Sequence, residues 1–340
     1  MKDKNEMNTN HKNYYHMKKL ETTFAGLTLK NPFIVSSCNL TNSAEKNRRW
    51  EEAGAGAVVL KSLFEEEIEA ESGWMQSGAH AEEQDYLFAY YRAHRLDEYI
   101  RLIKDTKQLC SIPVIASINC FRSTEWTDFA KQIELAGADA LELNVMSVCA
   151  EVDYTYGDYE RLHVDILKEV RKNVSIPVIV KLGRHFTNCV PLIHQLYANG
   201  ASAVVLFNRM AAPDFNINTL SYANAEALGH PSDLYESLRW IGLASDAVPK
   251  LSYVASGGVV NGESMVKALL SGASAVEVCS VLYRRGASPV QEMLDFLYTW
   301  MEKHNFKHIS EFKGKLNARN QGSAAAFERS QFFKQYGRFE

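Results

Sequence analysis

Several classes of function lack their usual signals in this chain of 340 residues. No apolar run approaches the roughly 18 residues that a membrane span needs. The polar N-terminus also lacks the apolar segment of a signal peptide. The net charge is −4 at pH 7, which gives no basic footprint for nucleic acid. We therefore expect neither a membrane nor a nucleic acid as a partner.

Motifs for metals and redox centres are missing as well. The six cysteines include no C-x-x-C pair, no zinc spacing and no iron–sulfur motif. No Rossmann G-x-G-x-x-G follows a predicted strand, so we do not expect this chain to bind NAD. The cysteine pattern instead predicts buried, reduced thiols, no metal site and a cytoplasmic location.

What the sequence does have is a repeated unit. AGAGAVVL (53–60), AGADALEL (136–143), NGASAVVL (199–206) and SGASAVEV (271–278) each place a glycine where a helix ends and then enter a strand. Eight short apolar runs predict strands, with helical segments between them: 33–38, 57–62, 114–119, 140–145, 178–182, 203–208, 253–257 and 275–280. Eight alternating units predict an α/β fold of the (β/α)8 TIM-barrel type, favoured over an open doubly wound sheet.

The pattern also predicts the organisation around the barrel. We expect a disordered tail over residues 1–19, the barrel over 20–318 and a C-terminal tail over 319–340. Residues 21–32 are predicted to form a hairpin around Ala25-Gly26 that caps the barrel bottom. Long excursions over 64–95 and 208–240 follow strands two and six. Such loops are typical of lids or substrate loops, with a plain surface insertion as the alternative.

Polar residues and glycines end the apolar strands, where a barrel places its active site. They are Ser36, Ser37, Cys38, Lys61, Ser62, Asn119, Asn144, Lys181, Asn208, Ser256, Gly257, Gly258, Cys279 and Ser280. A lysine at a buried strand end needs an acceptor to offset its desolvation, so Lys61 and Lys181 favour a shared anionic ligand, with a structural ion pair as the alternative. Gly257-Gly258, beside the end of strand eight, is typical of a barrel phosphate site, with a tight turn as the alternative.

Taken together, these segments resemble the flavin-dependent dihydroorotate dehydrogenases and their close relatives. The resemblance spans residues 20–316 and rests on LTLKNPFIVSS, GAVVLKS, LELNV, VIVKL, LFN, ASGGV and GASAVEVCSVLYRRG, in that order. It implies one FMN held noncovalently at the barrel mouth and a small-molecule substrate, dihydroorotate or a related compound. It further implies a place in pyrimidine biosynthesis and a homodimer.

The resemblance implies a role for each strand end. Ser36 and Ser37 would line the isoalloxazine, Lys61 and Ser62 would hold its polar edge, and Asn144 and Lys181 would contact flavin and substrate. Gly257, Gly258, Cys279 and Ser280 would take the phosphate, and Asn119, Asn208 and Ser256 complete the cofactor set. The predicted substrate set is Lys61, Asn144, Asn208 and Arg209. Lys181 is also a catalytic candidate, because a cation near the flavin N1/C2=O edge favours the anionic reduced form.

The family also implies a base that removes a proton from a substrate carbon. In the family motif N-[LV]-S-[CS]-P-N the base follows the strand-four asparagine by three residues, which is Ser147 here; Cys149 is the alternative. The closing Pro-Asn is replaced by Val148-Cys149, and residues 64–95 lack the family's loop motif. Strand six ends in Asn208-Arg209 rather than Asn-Ser or Asn-Thr.

These departures leave the flavin half of the predicted site intact and alter the substrate half. We therefore predict FMN-dependent oxidation of dihydroorotate to orotate, or of a related C–C bond, with hydride transfer to flavin N5. The alternative is a barrel that binds FMN or a phosphate ligand without turnover and serves a binding or regulatory role.

Overall fold

The computed structural model describes residues 19–64, 81–119, 127–145, 150–210, 212–321 and 324–328. Eight parallel strands form its centre, with five short strands around them. The strands are β1 (Thr22–Phe24), β2 (Leu27–Leu29), β3 (Phe33–Val35), β4 (Ala57–Val59), β5 (Leu63–Phe64), β6 (Val114–Asn119), β7 (Ala140–Val145), β8 (Val178–Leu182), β9 (Ala203–Leu206), β10 (Pro213–Asn216), β11 (Ser221–Asn224), β12 (Ser252–Ser256) and β13 (Ala275–Val278).

The central sheet closes on itself. Its strands follow the order β4-β3-β13-β12-β9-β8-β7-β6, and β4 also pairs with β6. All these pairings are parallel; for example, Val35 lies opposite Val278 and Val58 opposite Val114. Closure confirms the predicted TIM barrel and brings the carboxyl ends of all eight strands to one rim.

Helices connect the strands on the outside of the barrel. They are α1 (Ala44–Glu52), α2 (Ala81–Leu109), α3 (Thr127–Leu135), α4 (Asp158–Asn173), α5 (Cys189–Ala198), α6 (Leu234–Ala247), α7 (Gly262–Ser271), α8 (Ser280–Arg285), α9 (Ser288–Lys303) and α10 (Ala325–Glu328). In α4, Ile166, Leu167 and Val170 are buried on one face, as their spacing predicts. The largest apolar core lies between these helices and the strands.

The N-terminal hairpin closes the barrel bottom, as predicted. Its turn residues Ala25 and Gly26 have positive φ angles of 51° and 83°, as a tight two-residue hairpin turn requires. Phe24 and Leu29 are fully buried and belong to the cluster that fills the barrel interior, with Ile34 among its other members. This plug leaves the opposite end of the barrel as the open one.

The barrel interior is layered because side chains alternate along each strand. The lower layer is apolar and includes Ile115, Ala140, Ile179 and Ala275. Two residues further along the same four strands come Ser117, Glu142, Lys181 and Glu277, all buried. Ionisable groups therefore occupy the barrel directly below its mouth.

The two excursions differ in how much of them the structure describes. Residues 65–80 of the first lie outside the described ranges, and α2 begins at Ala81. The second contains an antiparallel hairpin of β10 and β11, followed by a 3-10 turn over Pro231–Asp233 and then α6. Among the described helices, none is long and apolar enough to cross a membrane.

Candidate functional site

Lys181 lies at the centre of a buried ionic cluster. Its Nζ is 2.6 Å from Glu277 Oε2, 3.4 Å from Glu142 Oε1 and 3.1 Å from Ser36 Oγ. Ser36 Oγ donates a hydrogen bond to the same Glu277 oxygen at 2.9 Å. The side chains of Lys181, Glu142 and Glu277 are each at most 5% exposed. Two glutamates of the chain itself therefore surround Lys181 and offset the desolvation of its ammonium group.

The cluster contains two carboxyl groups and one ammonium group. Burial, followed by the proximity of Glu277, raises the pKa of Glu142 to about 8. Burial alone would raise the pKa of Glu277 as well, but the charge of Lys181 and the hydrogen bonds from Glu142, Lys181 and Ser36 together outweigh burial and hold that pKa below its usual value. Burial opposes the charge on Lys181, yet the two carboxyl groups keep its pKa raised. The surroundings therefore favour the charged forms of Lys181 and Glu277 and the protonated form of Glu142.

A row of hydroxyl groups leads from the rim to this cluster. Ser37 Oγ lies 2.9 Å from Ser62 Oγ, which lies 2.8 Å from Ser117 Oγ. Ser117 Oγ in turn donates to Glu142 Oε1 at 3.4 Å. Tyr99 fixes this part of β6, because its hydroxyl accepts from the Ser117 N–H and donates to the Ser117 carbonyl.

Amide side chains end three of the strands. Asn208 Nδ2 donates to Asn144 Oδ1 at 2.8 Å, which links the ends of β9 and β7. Asn119 lies opposite Asn144 in the register, and its buried Oδ1 has no hydrogen-bond partner among the described residues. The predicted amide set is therefore brought together on one side of the mouth, with one acceptor left over.

Gly257 and Gly258 follow β12 with positive φ angles of 85° and 71°. A Cβ on Gly258 would stand 2.3 Å from the backbone nitrogen of Leu234 and 2.8 Å from the Pro231 carbonyl. The second glycine is therefore required by the chain's own backbone. At Gly257 an added Cβ would come 3.1 Å from the Arg184 guanidinium.

Arg184 is a functional candidate that the sequence reasoning missed. Its Nη1 donates to Asp233 Oδ1 at 3.1 Å, and its Nε lies 3.7 Å from Glu236 without making a hydrogen bond in the described part of the chain. A guanidinium facing the first glycine adds a cation to the predicted phosphate end of the mouth. The sequence could have indicated Arg184 by its position, three residues after Lys181 and just beyond the end of β8.

Arg209 and Ser280 bind the second excursion to the barrel. The guanidinium of Arg209 donates to the carbonyls of Ala227 at 2.7 Å and Glu226 at 2.8 Å, and Ser280 Oγ accepts the Gly229 N–H at 2.8 Å. Both predicted site residues thus hold residues 226–229 in place. Ser256 is also buried, and its carbonyl accepts the Ser237 hydroxyl.

Cys38 and Cys279 meet at the ends of neighbouring strands β3 and β13. A hydrogen bond from the Cys279 thiol, assisted by the Leu40 N–H and opposed by burial, lowers the pKa of Cys38 to about 7. The pKa of Cys279 is raised, first by the same contact with Cys38 and then by burial. Cys38 is therefore a half-buried thiolate at the mouth, whereas burial raises the pKa of Cys110 to about 11.

We predict that Cys38 is the fastest to be alkylated of the described thiols Cys38, Cys110, Cys189 and Cys279. Because thiolate is the reactive form, iodoacetamide at pH 7.5 is expected to modify Cys38 at least about tenfold faster than Cys110. Peptide mass spectrometry over time measures both rates. Cys279→Ala removes the hydrogen-bond donor and should slow Cys38 alkylation; equal rates for Cys38 and Cys110 would contradict the prediction.

Lys61 and Ser62 lie beside a cavity of about 510 Å³ that opens next to β5 and α2. Its other lining residues include Asn42, Leu63, Arg95, Glu98 and Tyr99. The Lys61 ammonium lies 6.0 Å from the centre of the Phe64 ring. Both predicted flavin contacts of strand two therefore border this cavity, which none of the other strand-end candidates lines.

The base candidates Ser147 and Cys149 fall within 146–149, outside the described residues. Sequence reasoning also missed Glu142, Glu277, Ser117 and Tyr99. For the two glutamates a signal existed, since ALELNV and AVEVCS each place a carboxylate inside an apolar strand. At alternating positions those carboxylates had to face either the barrel interior or the apolar layer beneath the helices.

Comparison with known proteins agrees with this geometry. The family model described as dihydroorotate dehydrogenase matches residues 19–301. A catalytic subunit of dihydroorotate dehydrogenase B (NAD(+)) from Thermoplasma volcanium is 28% identical over 88% of this chain and 98% of its own length. The same subunit from Methanocella arvoryzae is 30% identical over 78% of this chain and 87% of its own length.

A relative of the other type is similar to a comparable degree. Dihydroorotate dehydrogenase A (fumarate) from Limosilactobacillus reuteri is 27% identical over 76% of this chain and 86% of its own length. The match of the family model covers most of the chain, including all eight barrel strands and the polar layer within them. This chain is a flavin-dependent oxidoreductase acting on CH–CH groups, and it belongs to the dihydroorotate dehydrogenase family.

Proposed function

We propose that this chain uses FMN to oxidise dihydroorotate, or a compound with a related C–C bond. The observation that carries the proposal is the buried cation Lys181 below a rim of amides in a barrel of this family. A fixed positive charge in a water-poor site stabilises developing negative charge far better than the same charge in water. The altered substrate motif is the reason for including related compounds.

Three features support the fit of FMN to this mouth. The buried Asn119 Oδ1 has a free acceptor position, Lys61 and Ser62 border an open cavity, and Arg184 faces Gly257. Donors, acceptors and a cation are what a polar ring edge and a phosphate require. FMN, when bound, supplies the hydride acceptor.

The chain's own residues have distinct tasks in this proposal. Asn144, held in place by Asn208, orients the substrate ring. Lys181, which lies below the barrel mouth, stabilises the negative charge that develops in the reaction. Ser147 or Cys149 removes the proton from the substrate carbon. The half-buried Cys38 and Cys279 border the phosphate end with Ser280.

The direct test is anaerobic reduction of the purified yellow protein. Dihydroorotate is expected to bleach the flavin absorbance, and orotate or fumarate is expected to restore it after photoreduction. Reoxidation by fumarate tests the fumarate type named among the relatives. A yellow protein that dihydroorotate does not reduce would exclude dihydroorotate and leave a related compound as the substrate, whereas a protein that takes up no FMN would overturn the whole proposal.

We also propose that the chain forms a homodimer in the cytoplasm, through the β10–β11 hairpin. Phe215, Ile217, Leu220 and Tyr222 are between 66% and 90% exposed on this hairpin. An isolated two-stranded hairpin is at best marginally stable in water, so this one needs a covering surface. A second copy related by a two-fold axis supplies the same apolar residues and can cover it symmetrically. Unpaired thiols at all four described cysteines support the reducing compartment.

We predict that Phe215→Asp combined with Leu220→Asp converts the dimer into a monomer. Two buried, uncompensated carboxylates in the contact cost several kcal/mol. Light scattering coupled to size exclusion should then report a mass near the single-chain 38.3 kDa. Leu135→Asp changes another exposed leucine, 73% exposed at the end of α3, and should leave the dimer intact. A monomeric wild type would contradict the proposal.

A further inference from the structure

The carboxyl pair below the mouth holds one polar atom that its surroundings do not satisfy. Glu142 Oε1 accepts from Ser117 and Lys181, whereas the buried Oε2 has no hydrogen-bond partner in the described part of the chain. A buried carboxylate oxygen without a donor is costly. The same oxygen becomes a donor when the carboxyl group is protonated, and Glu277 lies within hydrogen-bonding reach as the acceptor. One proton between the two carboxyl groups therefore removes the unsatisfied atom.

The charges of the cluster lead to the same result. With both carboxyl groups ionised, the layer would carry one net negative charge among buried side chains. With one proton shared, Lys181 and Glu277 form a neutral ion pair and Glu142 is uncharged. Buried like charges that share a site do not both ionise near neutral pH. The other groups near the carboxyl pair are the neutral Ser117 and Tyr99 beside Glu142, and two thiols near Lys181 and Glu277: Cys38, whose pKa is lowered to about 7, and Cys279, whose pKa is raised.

The row of hydroxyl groups gives this proton a route to the rim. Ser117 contacts Glu142, Ser62 contacts Ser117, and Ser37 contacts Ser62, with two of the three oxygen–oxygen distances at 2.8 and 2.9 Å. Each hydroxyl can both donate and accept, and the donor in the two shorter contacts can be either serine. Ser37 is partly exposed, whereas Ser62 and Ser117 are buried.

We propose that Glu142 stores a proton inside the barrel, shared with Glu277, and that Ser117, Ser62 and Ser37 conduct it to the barrel mouth. In one transfer the Glu142 carboxyl group turns its protonated oxygen from Glu277 to Ser117 and gives up the proton, and Ser117, Ser62 and Ser37 each pass one proton onward to a base at the rim. The reverse transfer returns a proton to the Glu142 carboxyl group. The number of protons is conserved over the cycle, and no electron is transferred. Its use during turnover rests on the proposed function, but the store and its route are tested without substrate.

The store is tested by infrared spectroscopy of the full chain at pH 6.5. Exposed carboxyl groups are ionised there, since their pKa values lie near 4, so a protonated buried carboxyl group gives the remaining acid C=O band. This band is expected in the wild type and absent in Glu142→Gln. A band that persists unchanged in Glu142→Gln, or that is absent from the wild type, would overturn the stored proton.

The route is tested by the rate at which that band shifts after transfer into heavy water. Ser62→Ala interrupts the row and is expected to slow the shift at least about tenfold, while Ser62→Thr keeps the hydroxyl and the rate. Ser237→Ala removes a buried hydroxyl outside the row and controls for a loosened fold. An unchanged rate in Ser62→Ala, or a slow rate in Ser36→Ala instead, would overturn the route.

Unfolding by urea as a function of pH gives an independent readout of the store. A folded pKa raised to about 8 means that the native state retains a proton which the unfolded state has lost, so stability falls as pH rises. Between pH 6 and pH 9 the unfolding equilibrium constant of the wild type should rise by about tenfold or more relative to Glu142→Gln. If the unfolding equilibrium constants of the two proteins changed with pH in parallel, the proposal that Glu142 holds a proton would be contradicted.

Discussion

Replacing Lys181 with alanine is expected to destabilise the protein by about 3–5 kcal/mol, because it leaves Glu277 ionised and buried without its cation. The loss should appear in urea unfolding at pH 7 and should lessen at acidic pH, where Glu277 can take up a proton. In protein that remains folded, anaerobic reduction of the flavin by substrate should slow far more than FMN affinity falls, since the charge matters most in the chemical step.

A triple variant separates the two effects of Lys181. Lys181→Met with Glu142→Gln and Glu277→Gln removes all three ionisable groups and keeps similar side-chain volumes. Replacing a buried ionic cluster by uncharged groups is often neutral or stabilising, so its stability should return toward that of the wild type. Its rate of flavin reduction should stay low. Full activity of the triple variant would show that Lys181 has only a structural role.

The barrel was predictable because each strand carries its own local signal. Short β-branched runs such as AVV at 57–59 and VIVKL at 178–182 are buried along their whole length, so hydrophobicity alone marks them. The hairpin was predictable from Ala25-Gly26, which takes the positive φ angles of a tight turn. The same apolar runs also predicted where each strand ends. Most candidate residues were chosen at those ends and therefore lie on one rim.

Contacts between distant residues could not be predicted in this way. The need of Lys181 for an anionic partner was predictable, but not that Glu277, 96 residues later, would lie 2.6 Å from it. Gly258 was expected to make room for a phosphate, but Leu234 and Pro231 lie against it. Arg184 and Asp233, 49 residues apart, form an ion pair that neither local sequence indicates. Each of these depends on how strands and loops meet in space.

The second large effect concerns the proton-abstracting base. If Ser147 removes the substrate proton, Ser147→Ala should retain substrate binding but reduce the flavin at least ~100-fold more slowly, since general bases contribute about 10²–10⁴. Cys149→Ala should then have a mild effect. Rapid-mixing absorbance under anaerobic conditions measures the reduction rate, and a parallel titration with orotate measures binding.

The opposite pattern, with Cys149→Ala slow and Ser147→Ala mild, would assign the base to Cys149 and imply a loop shifted by two residues. The pH dependence distinguishes the two as well, because a cysteine with an ordinary pKa of about 8.5 titrates within reach of the assay and a serine does not. If both variants reduce the flavin as fast as the wild type, residues 146–149 do not hold the base. The base then comes from residues 64–95 or 208–240, because those excursions follow barrel strands at the same rim, or from Tyr154 or Tyr156 after strand four.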